Sequence, residues 1–84
     1  MDSFKTHKIV LYNDDSNTFE YVMACLIKLC NHNPIQAEQC ALITHNNGKC
    51  TIKHGSFDDM YELNEELNFL SLKTEVEVNE SSLH

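Results

Sequence analysis

The sequence predicts an α+β domain, with a three-stranded antiparallel sheet packed against three helices in the order β-α-α-β-α-β. Three patterns predict it. An apolar, β-rich run stands near the start of the chain. From Phe19 onward apolar residues recur at helical spacing. The segment ending at Val78 alternates with a period of two. At 84 residues the chain suffices for one domain with a modest core. We place that core at residues 8–78, after a short flexible arm (1–7) and before a frayed tail (79–84).

The first strand is Lys8–Tyr12, whose Ile-Val-Leu run suits burial. In the first helix Phe19, Val22, Met23, Leu26, Ile27 and Cys30 fall on one face. Asn17, three residues before Glu20, is its expected cap, as in a capping box. Asn33-Pro34-Ile35-Gln36 repeats that pattern, with proline at the first helical position, where its missing N–H costs nothing. This second helix runs to about His45 and ends in Asn46-Asn47-Gly48, residues that tolerate positive φ. Cys50–His54 alternates as a half-buried strand, and Ser56 caps a third helix just after Gly55. The last strand spans Leu70 to Val78, with Leu70, Leu72, Thr74, Val76 and Val78 on one side.

Composition excludes several functions. The formal charge is −7, from 13 acidic and 6 basic residues, with no Lys/Arg cluster to grip phosphates. An acidic domain repels nucleic acid and anionic lipid alike and attracts cationic groups. No apolar run reaches the roughly 20 residues that span a bilayer, and "MDSFKTHK" lacks the apolar stretch of a signal peptide. A cytoplasmic monomer that binds neither membrane nor nucleic acid is expected. The four cysteines lie five, ten and ten residues apart, unlike the close pairs of zinc sites. Buried free thiols are the simpler reading. Cys30, His32, Cys40 and His45 still supply four possible ligands, so a small metal-binding domain stays open as an alternative.

Two places carry chemistry. Asn13-Asp14-Asp15 interrupts the strand-to-helix turn, where a rigid frame holds accessible side chains. A carboxamide and a carboxylate together match an ammonium group with three donors, although such residues also build turns and caps. His45 closes a stripe of small residues, Ala37 and Ala41, that leaves room for a hollow beside the imidazole. A histidine at a helix end also suits the terminal carbonyls and dipole. No nucleophile elbow or glycine-rich phosphate loop is present, so the chain reads as a non-enzyme with no cofactor. His7, His32, His54 and His84 read as solvated, and Asp58, Asp59, Glu62, Glu65 and Glu66 as a solvent-facing helix surface.

The stretches "LYNDDSNTFEYV", "QAEQCALITHNNGK" and "LSLKTEVE" together resemble the ClpS family, over about Lys8 to Glu77. These are adaptors that deliver N-degron substrates to a Clp protease machine. The resemblance implies an adaptor that docks on the N-terminal region of a ClpA- or ClpC-type AAA+ ATPase. It also implies a pocket for a protein's first residue, accepting Phe, Tyr, Trp or Leu. Asn13, Asp14 and His45 would hold the free α-amino group, with Asp15 and Ser16 shaping the turn. Asn17, Phe19, Val22, Ala41, Thr44 and Leu72 would line the side-chain cavity. His45 accepts a hydrogen bond only when neutral, so its protonation should weaken amine binding. The chain departs from the family where Asn17, Thr18 and Phe19 replace Thr-Pro and then Met. Ala41 stands where many relatives carry a Met that excludes β-branched side chains. The third helix is shorter than in better-known members, and fewer residues precede the first strand. An interaction module of the same fold without an amine pocket is the further alternative.

Overall fold

The computed structural model describes residues 6–79. Residues 1–5 of the expected arm and 80–84 of the expected tail, His84 included, lie outside the described residues. The chain forms β1 (His7–Tyr12), α1 (Phe19–Leu29), α2 (Pro34–Asn47), β2 (Lys49–Gly55), α3 (Phe57–Phe69) and β3 (Thr74–Val78). This is the predicted element order.

β1 is the central strand of an antiparallel sheet ordered β2-β1-β3. Its position fits its composition: both of its edges are paired, and Ile9, Val10 and Leu11 are all buried. A bulge at Ile9/Val10 shifts the register with β2. Both flanks start one residue closer to the sheet than expected. His7 pairs with Gly55 and Val78, and the Asn79 N–H donates to the Thr6 carbonyl at 2.9 Å.

The core joins Ile9 and Leu11 of the sheet to Cys25, Leu26 and Cys30 of α1, Ala37 of α2, Ile52 of β2, Met60 and Leu67 of α3, and Leu72. Leu26 and Leu67 are fully buried, each removing a whole leucine side chain from water, about 1.5–3 kcal/mol of transfer free energy apiece. Of the expected α1 face, Leu26 and Cys30 are buried, Val22 and Met23 half-buried and packed on the core, and Ile27 is exposed.

The caps of α2 and α3 follow the sequence. Asn33 accepts from the Gln36 N–H at 2.8 Å and Gln36 accepts from Asn33, a complete capping box. Ser56 accepts from the Asp59 N–H. Gly48 closes α2 at φ 95°, with its N–H on the Thr44 carbonyl.

Two local expectations are corrected. Thr18, not Asn17, caps α1, accepting from the Tyr21 N–H at 3.1 Å. Asn17 instead makes a tertiary contact, its carboxamide N–H donating to the Ser71 carbonyl at 2.9 Å. The last strand begins at Thr74 rather than Leu70. Leu70 is the C-cap of α3, Ser71 takes φ 71°, and the Leu72 N–H returns to the Leu67 carbonyl. Leu70 therefore ends the helix with its N–H on the Glu66 and Leu67 carbonyls. Asn68 then fastens the turn through the Leu72 carbonyl and Thr74.

Candidate functional site

Three connections meet beside the end of β1. The turn after Tyr12 carries Asn13 and Asp14. The Asn13 N–H donates to the Gly48 carbonyl at 2.9 Å, which brings this turn against the last turn of α2, where His45 sits. The Tyr12 N–H donates to the Lys73 carbonyl at 2.8 Å, and Asn17 holds Ser71. These bonds draw the α3–β3 connection onto the same end of the sheet.

Between them lies a cavity of about 450 Å³, within the range of small-ligand sites. Asn13, Asp14, His45, Asn17, Phe19, Val22, Ala41, Thr44 and Leu72 all line it. So do Asp15, which the sequence reading gave to the turn alone, and Leu11, Tyr12, Leu42 and Lys73, which it did not place at the site. Leu42 follows Ala41 along α2 and Lys73 follows Leu72, so adjacency to a named residue was the signal available. Ala41, Thr44 and Leu72 are buried, whereas Asn13 and His45 are exposed and Asp14 half-exposed.

The polar groups differ in how far the protein already uses them. Asp14 Oδ1 accepts from the Ser16 N–H at 2.9 Å, and the Ser16 hydroxyl bonds the same carboxylate. Asp14 therefore builds the Asx turn that the sequence reading gave to Asp15 and Ser16. Those hydrogen bonds, the backbone one first, hold its carboxyl below the usual range, with a smaller push from Lys73. A carboxylate offers about four lone-pair positions, so the turn leaves Asp14 acceptor capacity to spare. The side chains of Asn13 and His45 make no hydrogen bond among the described residues. Both stand available to a ligand.

The apolar wall is self-contained. Thr44 donates its hydroxyl to the Cys40 carbonyl at 2.8 Å, so this buried residue brings no unpaired donor into the cavity. Ala41 is 4% exposed and Leu72 3%, while Phe19 and Val22 are half-buried. At the neighbouring rim the Tyr12 hydroxyl donates to the Glu77 carboxylate, and this bond above all pushes the phenol up to about 12.

The alternative metal ligands do not converge. Cys30 lies in the core, His45 faces the cavity, and His32, expected to be solvated, is instead buried because its Nε2 is hydrogen-bonded with the Ile52 carbonyl at 2.8 Å. Among the described residues no group of three or more His, Cys, Asp or Glu is arranged to hold a metal ion. No helix among them is long and apolar enough to cross a membrane.

Comparison with known proteins agrees with this architecture. The family model described as ATP-dependent Clp protease adaptor protein ClpS matches residues 2–76. Among solved structures the chain is similar to Agrobacterium tumefaciens ClpS2 bound to L-phenylalaninamide, with a TM-score of 0.85 at 20% identity. The match covers 89% of this chain and 98% of that one, and at this identity it is a likeness of fold. No match was found among curated proteins.

Proposed function

The chain belongs to the ClpS family of Clp protease adaptors, and on that footing we propose that it is a non-enzymatic, cytoplasmic adaptor for N-degron substrates. It binds the free α-amino group and bulky hydrophobic first residue of a protein, and hands that protein to a ClpA- or ClpC-type AAA+ unfoldase. The observation that carries this reading is the composition of one cavity. An anionic carboxylate, an uncommitted carboxamide and an uncommitted imidazole line the same space as Phe19, Val22, Ala41 and Leu72.

Each part has a physical task. Asp14 attracts a protonated amine and accepts its hydrogen bonds. Asn13 and the neutral ring of His45 supply further acceptors that fix the direction of the N–H groups. The apolar wall removes the first side chain from water, at roughly 25 cal/mol per Å² buried. An aromatic first residue gains most, since such side chains bury about 150–250 Å². N-acetylation removes the charge and two donors, so a blocked terminus leaves the acceptors unpaired. A phenylalanine derivative with a free amine, the ligand held by the Agrobacterium protein, has this combination.

The test is fluorescence anisotropy with a labelled peptide that begins with Phe, beside its N-acetylated twin. Binding of the free peptide alone is expected. Equal binding of both, or binding of neither, would overturn the amine pocket. Handover is tested separately, by asking whether the protein speeds degradation of a Phe-initiated substrate by a reconstituted Clp protease.

A further inference from the structure

The cavity holds a second charge that the recognition of an amine and an apolar side chain does not use. Lys73 lines it and is exposed. Its backbone is fixed, because its carbonyl accepts from the Tyr12 N–H at 2.8 Å at the edge of the central strand. Its neighbours on either side are both buried, Leu72 in the cavity wall and Thr74 at the first rung of the β1–β3 ladder. Its ammonium makes no hydrogen bond or ion pair of its own among the described residues, although it lies close enough to Asp14 to feel that charge. Of the lining residues it alone is a lysine or arginine.

A ligand whose amine rests on Asp14 and whose first side chain fills the apolar hollow places its second residue at the rim. Consecutive Cα atoms lie about 3.8 Å apart, so the second side chain starts within a few ångströms of the amine. A lysine side chain of four methylenes at the same cavity, near enough to Asp14 to act on its charge, can reach that region. We propose that Lys73 is a specificity-determining residue for the second position of the substrate, favouring a carboxylate there. This inference rests on the amine-pocket reading and adds a second charge contact to it. The acidic surroundings, Asp14 and Asp15 within the same cavity and a net charge of −7, would otherwise select against an acidic second residue. Lys73 offsets that bias locally, at a separation short enough to act within a Debye length.

The experiment is a double-mutant cycle. Peptides beginning Phe-Glu and Phe-Gln, alike in every later residue and amidated at the C-terminus, are titrated against the full chain and its Lys73→Gln variant. The ratio of the two dissociation constants in each protein cancels the general effect of the acidic surface. For an exposed pair, replacing Lys73 should weaken Phe-Glu about two- to fivefold relative to Phe-Gln. The difference should fade in high salt. An identical ratio in both proteins would overturn the role of Lys73, even with Phe-Gln binding intact. Loss of all binding by the unmodified chain, or equal binding of an N-acetylated Phe-Gln peptide, would instead bring down the pocket reading and this inference with it. Lys73→Arg should restore the preference, which a merely structural contribution of the lysine stem to the rim would not require.

Discussion

Replacing Asp14 by Asn separates the turn that its carboxylate builds in the structure from the amine binding proposed for it. The carboxamide oxygen of Asn still accepts from the Ser16 N–H, so the turn between β1 and α1 is kept. What disappears is the charge, and one oxygen becomes an N–H₂ group that faces the ligand ammonium as a donor. Hydrogen bonds to charged groups are about twice as strong as neutral ones. Asp14 is half-exposed, so water competes for its oxygens and the loss falls at the low end. On this basis the dissociation constant for a Phe-initiated peptide should rise on the order of tenfold. The acetylated twin, bound weakly if at all, should be unaffected, so the discrimination between the two narrows. Anisotropy gives both constants, and a urea titration of the same variant shows whether the fold is intact. A folded Asp14→Asn protein that still binds the free peptide as tightly as the parent would refute the proposed pairing. The same variant reports on pH. In the parent the Asp14 carboxyl is held below its ordinary value of 3.8 by its bonds to Ser16. Its contribution to stability is thus complete above that value and is lost as pH falls through the lower folded value. The parent's advantage over Asp14→Asn in urea should be constant above about pH 5 and vanish in stronger acid.

Ala41→Met should put a longer side chain into the buried cavity wall and lower affinity for peptides beginning Ile or Val relative to Phe; a ligand profile unchanged in competition titrations would contradict it. Gly48→Ala meets no atom within 4 Å but must hold φ 95°, so urea unfolding should show a loss of about 1 kcal/mol from backbone strain alone. Unchanged stability would mean that the α2 terminus relaxes to another conformation. Burial pushes the Cys30 thiol up to about 11 and the Cys40 thiol up to about 12, with Cys50 adding to the latter. Both should therefore stay unmodified by iodoacetamide at pH 8 while the urea-unfolded chain is labelled fully, and rapid labelling of the native protein, read by mass spectrometry, would refute this.

Much of the fold is legible in the sequence because its signals are local. A helix cap spans four residues, so the Asn33–Gln36 capping box and the Ser56 bond from the Asp59 amide mark their helices without help from elsewhere. Gly48 ends α2 because no other residue takes its φ as freely. Periodicity likewise places Leu26 and Cys30 in the core. The two corrected boundaries both involve side chains whose partners lie far along the chain or across a turn. Asn17 looks like a cap until Ser71, 54 residues away, takes its carboxamide. Leu70 looks like the start of an alternating strand until α3 continues through Phe69 and Asn68 fastens the turn beyond it.

The candidate site shows the same division. Residue chemistry alone pointed to Asn13 and Asp14 as groups able to meet an amine, and resemblance to a family added His45 to them and supplied the apolar wall. That Asp14 also builds the turn, and that Asn13 and His45 are left uncommitted, follows only from hydrogen bonds in three dimensions. Lys73 was invisible as a site residue, being one more charge in an alternating segment. By itself, then, the sequence determined which segments become helix or strand and which residues bear the chemistry, since both are written in near neighbours. Tertiary structure decided which of those residues share a space. With β1 in the middle of the sheet, its end becomes the point where the α2 cap and the α3–β3 turn are both hydrogen-bonded, and the cavity forms where they meet.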